Sequence, residues 1–133
     1  MIKRIFPKII QEVGFDFSWD NTRVWKLEAM TEEMDISELT WHFKIPFLNK
    51  TRGRYNLKPI DILTHPQKHK KEYERTQKAD LIHPIDIMRN KGRWLILDGL
   101  HRLMKASLSG QTRVNVRKIP RTAIPKIRKE SWV

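Results

Sequence analysis

The chain has 133 residues, 39% of them hydrophobic and 32% charged, which suits one domain with a modest core. Cysteine is absent, so disulfides, thiolate nucleophiles and cysteine-ligated zinc are excluded; the composition fits a cytoplasmic protein. Twenty-seven lysines and arginines against 15 acids give a net charge of +12, a balance that attracts polyanions such as nucleic acid or nucleotides. No stretch is apolar enough to span a bilayer, and the first residues lack the pattern of a secretory signal.

Residues 1–20 read as an N-terminal arm: Pro7 and Gly14 break any long helix, and Phe15–Trp19 suits a short strand or a packed segment. In 22–30, Trp25, Leu27 and Ala29 alternate, which predicts a strand. In 34–43, Ile36, Leu39, Thr40 and Phe43 follow helical spacing. Asp35 and Glu38 form a capping-box-like pair before and within it, and a strand over 39–45 competes. Residues 47–56 read as a loop broken by Gly53, 59–64 as a short helix, and 66–81 as a polar surface helix ended by Pro84.

The C-terminal half has sharper signals. Residues 84–89 and 93–98 are rich in strand formers, and Asn90-Lys91-Gly92 between them predicts a hairpin. Residues 100–109 form an amphipathic helix with Leu100, Leu103, Met104 and Leu108 as its apolar stripe and Gly110 as its stop. Residues 113–119 are a further strand, and 121–133 a basic tail. This order predicts an α+β (α/β) domain over 1–133, a small mixed sheet flanked by helices.

The junction "LDGLHR" carries the strongest chemical signal. A helix start exposes unpaired amides at the positive end of its dipole, which favours phosphate. Gly99 permits a sharp turn and close approach of a ligand. Leu100, His101 and Arg102 supply amides there, Arg102 adds a forked donor, and His101 adds a donor or proton carrier. Asp98 beside an anion site suits a helix cap, a proton acceptor or a contact to Mg²⁺. His65 and His69, four apart with Pro66 between, read as surface histidines, so no metal ligands are assigned. His42 reads as a packed residue and His83 as a turn residue that could reach a nucleotide base. The five tryptophans read as packing groups.

The string "ILDGLHRLMKA…G…VNVRKIP", with "ADLIHPIDI" upstream, resembles the ParB/sulfiredoxin superfamily. The resemblance is strongest over about residues 80–120 and extends over 24–120. It implies a fold that holds nucleotide phosphates at the helix start. Sulfiredoxin chemistry is excluded because Leu100 stands where that motif has cysteine. Gly99-Leu100-His101-Arg102 departs from the ParB Gly-Glu-Arg-Arg turn. The 13 residues after Pro120 are too few for a helix-turn-helix, which argues against partition-type DNA binding. The Asp-Gly-x-His-Arg form looks most like the free serine kinase and nuclease-like branch. The resemblance implies Asp98 and His101 as catalytic groups, and Gly99, Leu100, His101 and Arg102 as the site for ATP, ADP or CTP, with Mg²⁺. The partners it implies are a nucleotide and a small hydroxyl-bearing acceptor. A nuclease-like or nucleic-acid-binding protein and a non-catalytic nucleotide sensor are the alternatives. Glu28, Glu32 and Glu38 are candidates for a second acid, and Asp80 is a candidate to face the site.

Overall fold

A computed structural model describes residues 6–50 and 55–129. The loop-breaking role read for Gly53 lies outside these residues. At the centre is a four-stranded mixed sheet: β1 (Thr31–Asp35), β2 (Ile85–Asn90), β3 (Arg93–Asp98) and β4 (Arg113–Lys118), in the order β1-β4-β2-β3. β1 runs antiparallel to β4 and β3 antiparallel to β2, whereas β2 and β4 are parallel. The helices are α1 (Lys8–Val13), α2 (Asn21–Trp25), α3 (Pro59–Thr64), α4 (Lys70–Lys78), α5 (Leu100–Leu108) and α6 (Ile124–Ile127). The domain is therefore α+β. Among the described residues, no helix is long and apolar enough to cross a membrane.

Each sheet face buries its own cluster because strand side chains alternate between faces. Ile85, Ile87, Val114 and Val116 pack with Leu103, Met104 and Ala106 of α5 and Ile62 of α3. On the opposite face Met88, Leu97 and Ile119 meet Phe17, Val24, Ala123 and Ile127. Within the segment read as a basic tail, residues 121–127 form a short 3-10 turn and α6 that pack against this cluster. Trp19 forms an isolated bridge with Arg128, which fastens the N-terminal arm to this layer.

The hairpin falls where the sequence predicts it. Lys91 and Gly92 both have positive φ, 52° and 81°, so the two-residue turn follows the twist of its strands. Along α5 the buried residues are Leu103, Met104 and Ala106, while Leu108 at the last turn is 43% exposed. Gly110, at φ 76°, ends the segment.

Two elements differ from the sequence reading. Residues 22–30 are not a strand. Asp20 accepts a hydrogen bond from the Thr22 amide at 2.8 Å and starts α2, and the strand that pairs with β4 begins only at Thr31. The local cap prevails over the alternation, and pairing with β4 selects the next five residues. Residues 34–43 are not one helix either. Met34 completes β1, and Asp35 caps a 3-10 turn over 36–38 by accepting from the Ser37 amide, which lowers its carboxyl pKa. A second 3-10 turn covers 40–44.

Candidate functional site

β3 runs directly into α5 through Gly99, whose φ of 118° is open to glycine and strained for other residues. A Cβ there would stand 3.2 Å from the Ile85 Cα, Ile85 Cγ1 and Arg102 Nη1. The glycine is therefore required twice, by backbone angle and by the close passage of β2. Among the described residues no side chain caps α5; its first helical bond runs from the Leu103 amide to the Gly99 carbonyl. The preceding amides of the first turn remain for an external acceptor.

This helix start opens on a cleft of about 1410 Å³. Asp98, Gly99, Leu100, His101 and Arg102 all line it, so the structure brings the five residues singled out in the sequence to one wall. Arg75, Lys78 and His83 add positive or protonatable groups nearby. Phe15, Phe17 and Trp19 of the arm form an apolar wall, with Trp19 edge to face against both phenylalanines.

The side chains are braced from behind. The Asp98 Oδ2 accepts from Trp25 Nε1 at 2.8 Å and from Arg102 Nη2 at 3.5 Å; among the described residues Oδ1 has no partner. Arg102 Nη1 also donates to the Pro84 carbonyl at 3.0 Å, tying α5 to the entry of β2. Two of its five N–H donors are thus committed to the protein and the rest remain. His101 Nε2 donates to Glu72 Oε2 of α4 at 2.7 Å, since a carboxylate only accepts. That bond fixes the ring so that a neutral His101 carries its acceptor on Nδ1. Glu72 also accepts from Arg75 Nη1 at 3.1 Å.

A second acid lies beneath the site. Asp86 is paired across the hairpin with Asp98 and is 2% exposed. Arg117 donates to it through Nε at 2.6 Å, and to the Leu27 and Val24 carbonyls through Nη1 and Nη2. Burial pushes the Asp86 carboxyl pKa up; Arg117 opposes this and the charge of Asp98 adds to it.

The acids proposed from sequence fare differently. Glu28, Glu32 and Glu38 are exposed and do not line the cleft, and Glu32 pairs with Lys118 at 2.9 Å. Asp80 does line it, with His83 Nε2 4.0 Å from its carboxylate. Among the described residues, no three His, Asp or Glu side chains gather as a metal-binding group. The residues that sequence reading missed are Glu72, Asp86, Arg75 and Lys78. Asp86 left one trace, an acid set between two isoleucines of a strand; Glu72 left none, because its partner is 29 residues away.

His42 is packed, as read from the sequence, and it also performs a specific task. Its Nδ1 donates to the Leu39 carbonyl at 2.6 Å, and its Nε2 accepts from the Ile96 amide at 3.1 Å on the edge strand β3. Desolvation, reinforced by the charge of Arg93 and opposed by the Leu39 carbonyl, lowers its pKa from 6.5 to about 4.

No family model, no curated protein and no solved structure matches the chain. The site is therefore read from its own chemistry.

Proposed function

We propose that the cleft binds a nucleotide by its phosphates at the start of α5 and passes a phosphoryl group to a small hydroxyl-bearing acceptor. One observation carries this reading: an uncapped nine-residue helix, entered through a left-handed glycine, opens on a cleft shared with Arg75, Lys78, His101 and Arg102. Oriented amides and cations in such a place stabilise phosphate oxygens and the charge of a transferred phosphoryl group. The apolar wall of Phe15, Phe17 and Trp19 suits the base. The resemblance to the ParB/sulfiredoxin superfamily at Asp98–Arg102 agrees with this reading.

In this scheme Asp98 is the proton acceptor. Trp25 and Arg102 hold its Oδ2, which leaves Oδ1 free to take the proton of an incoming hydroxyl. Glu72 positions His101 from behind, so that the imidazole keeps one orientation beside the phosphates. Mg²⁺ is ordinarily held by one or two carboxylates and the nucleotide's phosphates; Asp98 would fill that part only in place of accepting the proton, and Asp86, bound to Arg117, does not fit it.

Thermal denaturation with ATP, ADP, CTP and GTP, each with and without Mg²⁺, tests the reading. At least one nucleotide should raise the Tm by several degrees. Lys78→Ala, which removes an exposed cation of the rim, should shrink that rise. No response to any of the four overturns the proposal. Stabilisation without turnover by any hydroxyl acceptor leaves a nucleotide-sensing module and removes the catalytic roles of Asp98 and His101.

A further inference from the structure

The cations of this protein are held in two chemically different ways. Arg75, Arg102, Arg113 and Arg117 each meet a carboxylate, which takes up part of their N–H edge. At the tip of the β2–β3 hairpin the partners are neutral. The Arg89 guanidinium lies 5.1 Å from the centre of the Trp94 ring, and the Arg93 guanidinium 4.6 Å from that of Trp41. Lys91 Nζ donates to the Gln11 and Glu12 backbone carbonyls at 2.8 and 3.0 Å. Arg121 Nη1 donates to the Arg89 carbonyl and the Asn90 Oδ1. Among the described residues, none of these four has a carboxylate partner. Lys118, over the Trp94 ring at 5.0 Å, is the one cation of the group with an acid, Glu32.

We propose that this hairpin tip docks the phosphodiester backbone of a nucleic acid, with Arg89 and Lys118 on the Trp94 face of the ribbon, Arg93 and Arg121 on the Asn90 face and Lys91 at the turn between them. All five side chains are exposed, and none lines the cleft. An indole face fixes a guanidinium without neutralising it. Its N–H edge stays available to fork onto phosphate oxygens, and little side-chain freedom is left to lose on binding. The turn brings three of these cations into five consecutive residues, 89 to 93, on a rigid two-residue hairpin. A lipid surface fits less well. Lasting attachment to a membrane surface draws on apolar side chains that insert, and among the described residues none of the exposed large apolar ones, Trp25, Met30, Ile60, Ile82 and Leu108, belongs to the 89–93 hairpin. The indoles are half-buried beneath their cations, so the surface reads backbone charge rather than bases.

Fluorescence anisotropy of a labelled, mixed-sequence DNA duplex against the full chain, over a salt series, tests this. Arg89→Gln/Arg93→Gln should weaken binding about tenfold and reduce the slope of log affinity against log salt by about two. Lys70→Gln/Lys71→Gln on α4 removes the same charge and should leave affinity within about twofold. Equal loss from both pairs, or no loss from the tip pair, overturns the proposal, because binding is then diffuse charge attraction. Displacement of the duplex by phosphatidylserine vesicles that bind more tightly through the same arginines also overturns it, in favour of a lipid. Should the tip variant fail to fold, phenylglyoxal modification of the unaltered protein decides. Protection of Arg89 and Arg93 by the duplex supports the surface; unchanged modification rates refute it. Neither result depends on whether the cleft binds a nucleotide.

Discussion

Two aspartate–arginine pairs lie one strand apart in this fold, and they differ in what they leave free. Asp86 and Arg117 meet at 2.6 Å with side chains 3% and 12% exposed, and three nitrogens of the arginine donate to protein acceptors. Asp98 and Arg102 meet at 3.5 Å, each 20% exposed, with one carboxylate oxygen and several N–H groups open to the cleft. The residue types are the same, but burial and bond count divide the work. The first pair locks α2 to the sheet; the second is held only firmly enough to present its remaining atoms to a ligand.

The largest effect should come from breaking the closed pair. Arg117→Ala leaves a buried carboxylate and two carbonyls without their donor, and should cost about 3–5 kcal/mol by urea denaturation. A loss below about 1 kcal/mol would mean that the pair is not the anchor described here.

Next comes the turn between the open pair's two members. Gly99→Ala combines an unfavourable φ with a Cβ pressed 3.2 Å from the Ile85 backbone, and should cost about 1–3 kcal/mol. It should also abolish any nucleotide-induced rise in Tm.

A pH series probes the seal along β3. His42 has a folded pKa of about 4 against an ordinary 6.5, so the unfolded chain binds the proton more readily. Its contribution is complete above about pH 6.5 and is lost as the pH falls towards 4. The loss should be about 2 kcal/mol between pH 7 and pH 5. His42→Gln should flatten that part of the stability profile; an unaltered slope would place the titration on another group.

The smallest effect on stability belongs to the open pair. Asp98→Asn keeps an oxygen for Trp25 and Arg102, and should change stability by less than about 1 kcal/mol while sparing nucleotide binding and removing turnover. Turnover that survives the change would refute the role of Asp98 as proton acceptor.

Legibility in the sequence followed distance along the chain. The hairpin at Lys91-Gly92, the helix over 100–108 and the stop at Gly110 rest on turn chemistry and apolar spacing within a few residues, and each was readable. The segment 22–30 misled because alternation is a weaker constraint than the cap Asp20 provides, and because pairing with β4 decides which five residues become β1. The five residues of the α5 start were readable as one group since they are contiguous. Their supports were not: Trp25 reaches Asp98 across 73 residues, and Glu72 reaches His101 across 29.

By itself, then, the amino-acid order determined the glycine turn, the helix that follows it and the excess of positive charge, because each depends on local backbone preference or on simple counting. Only the tertiary structure decided which arginines meet acids and which rest on indoles, and which aspartate is buried and which faces the cleft. Those outcomes depend on solvent exclusion and on partners brought together by the β1-β4-β2-β3 sheet, and no local pattern encodes them.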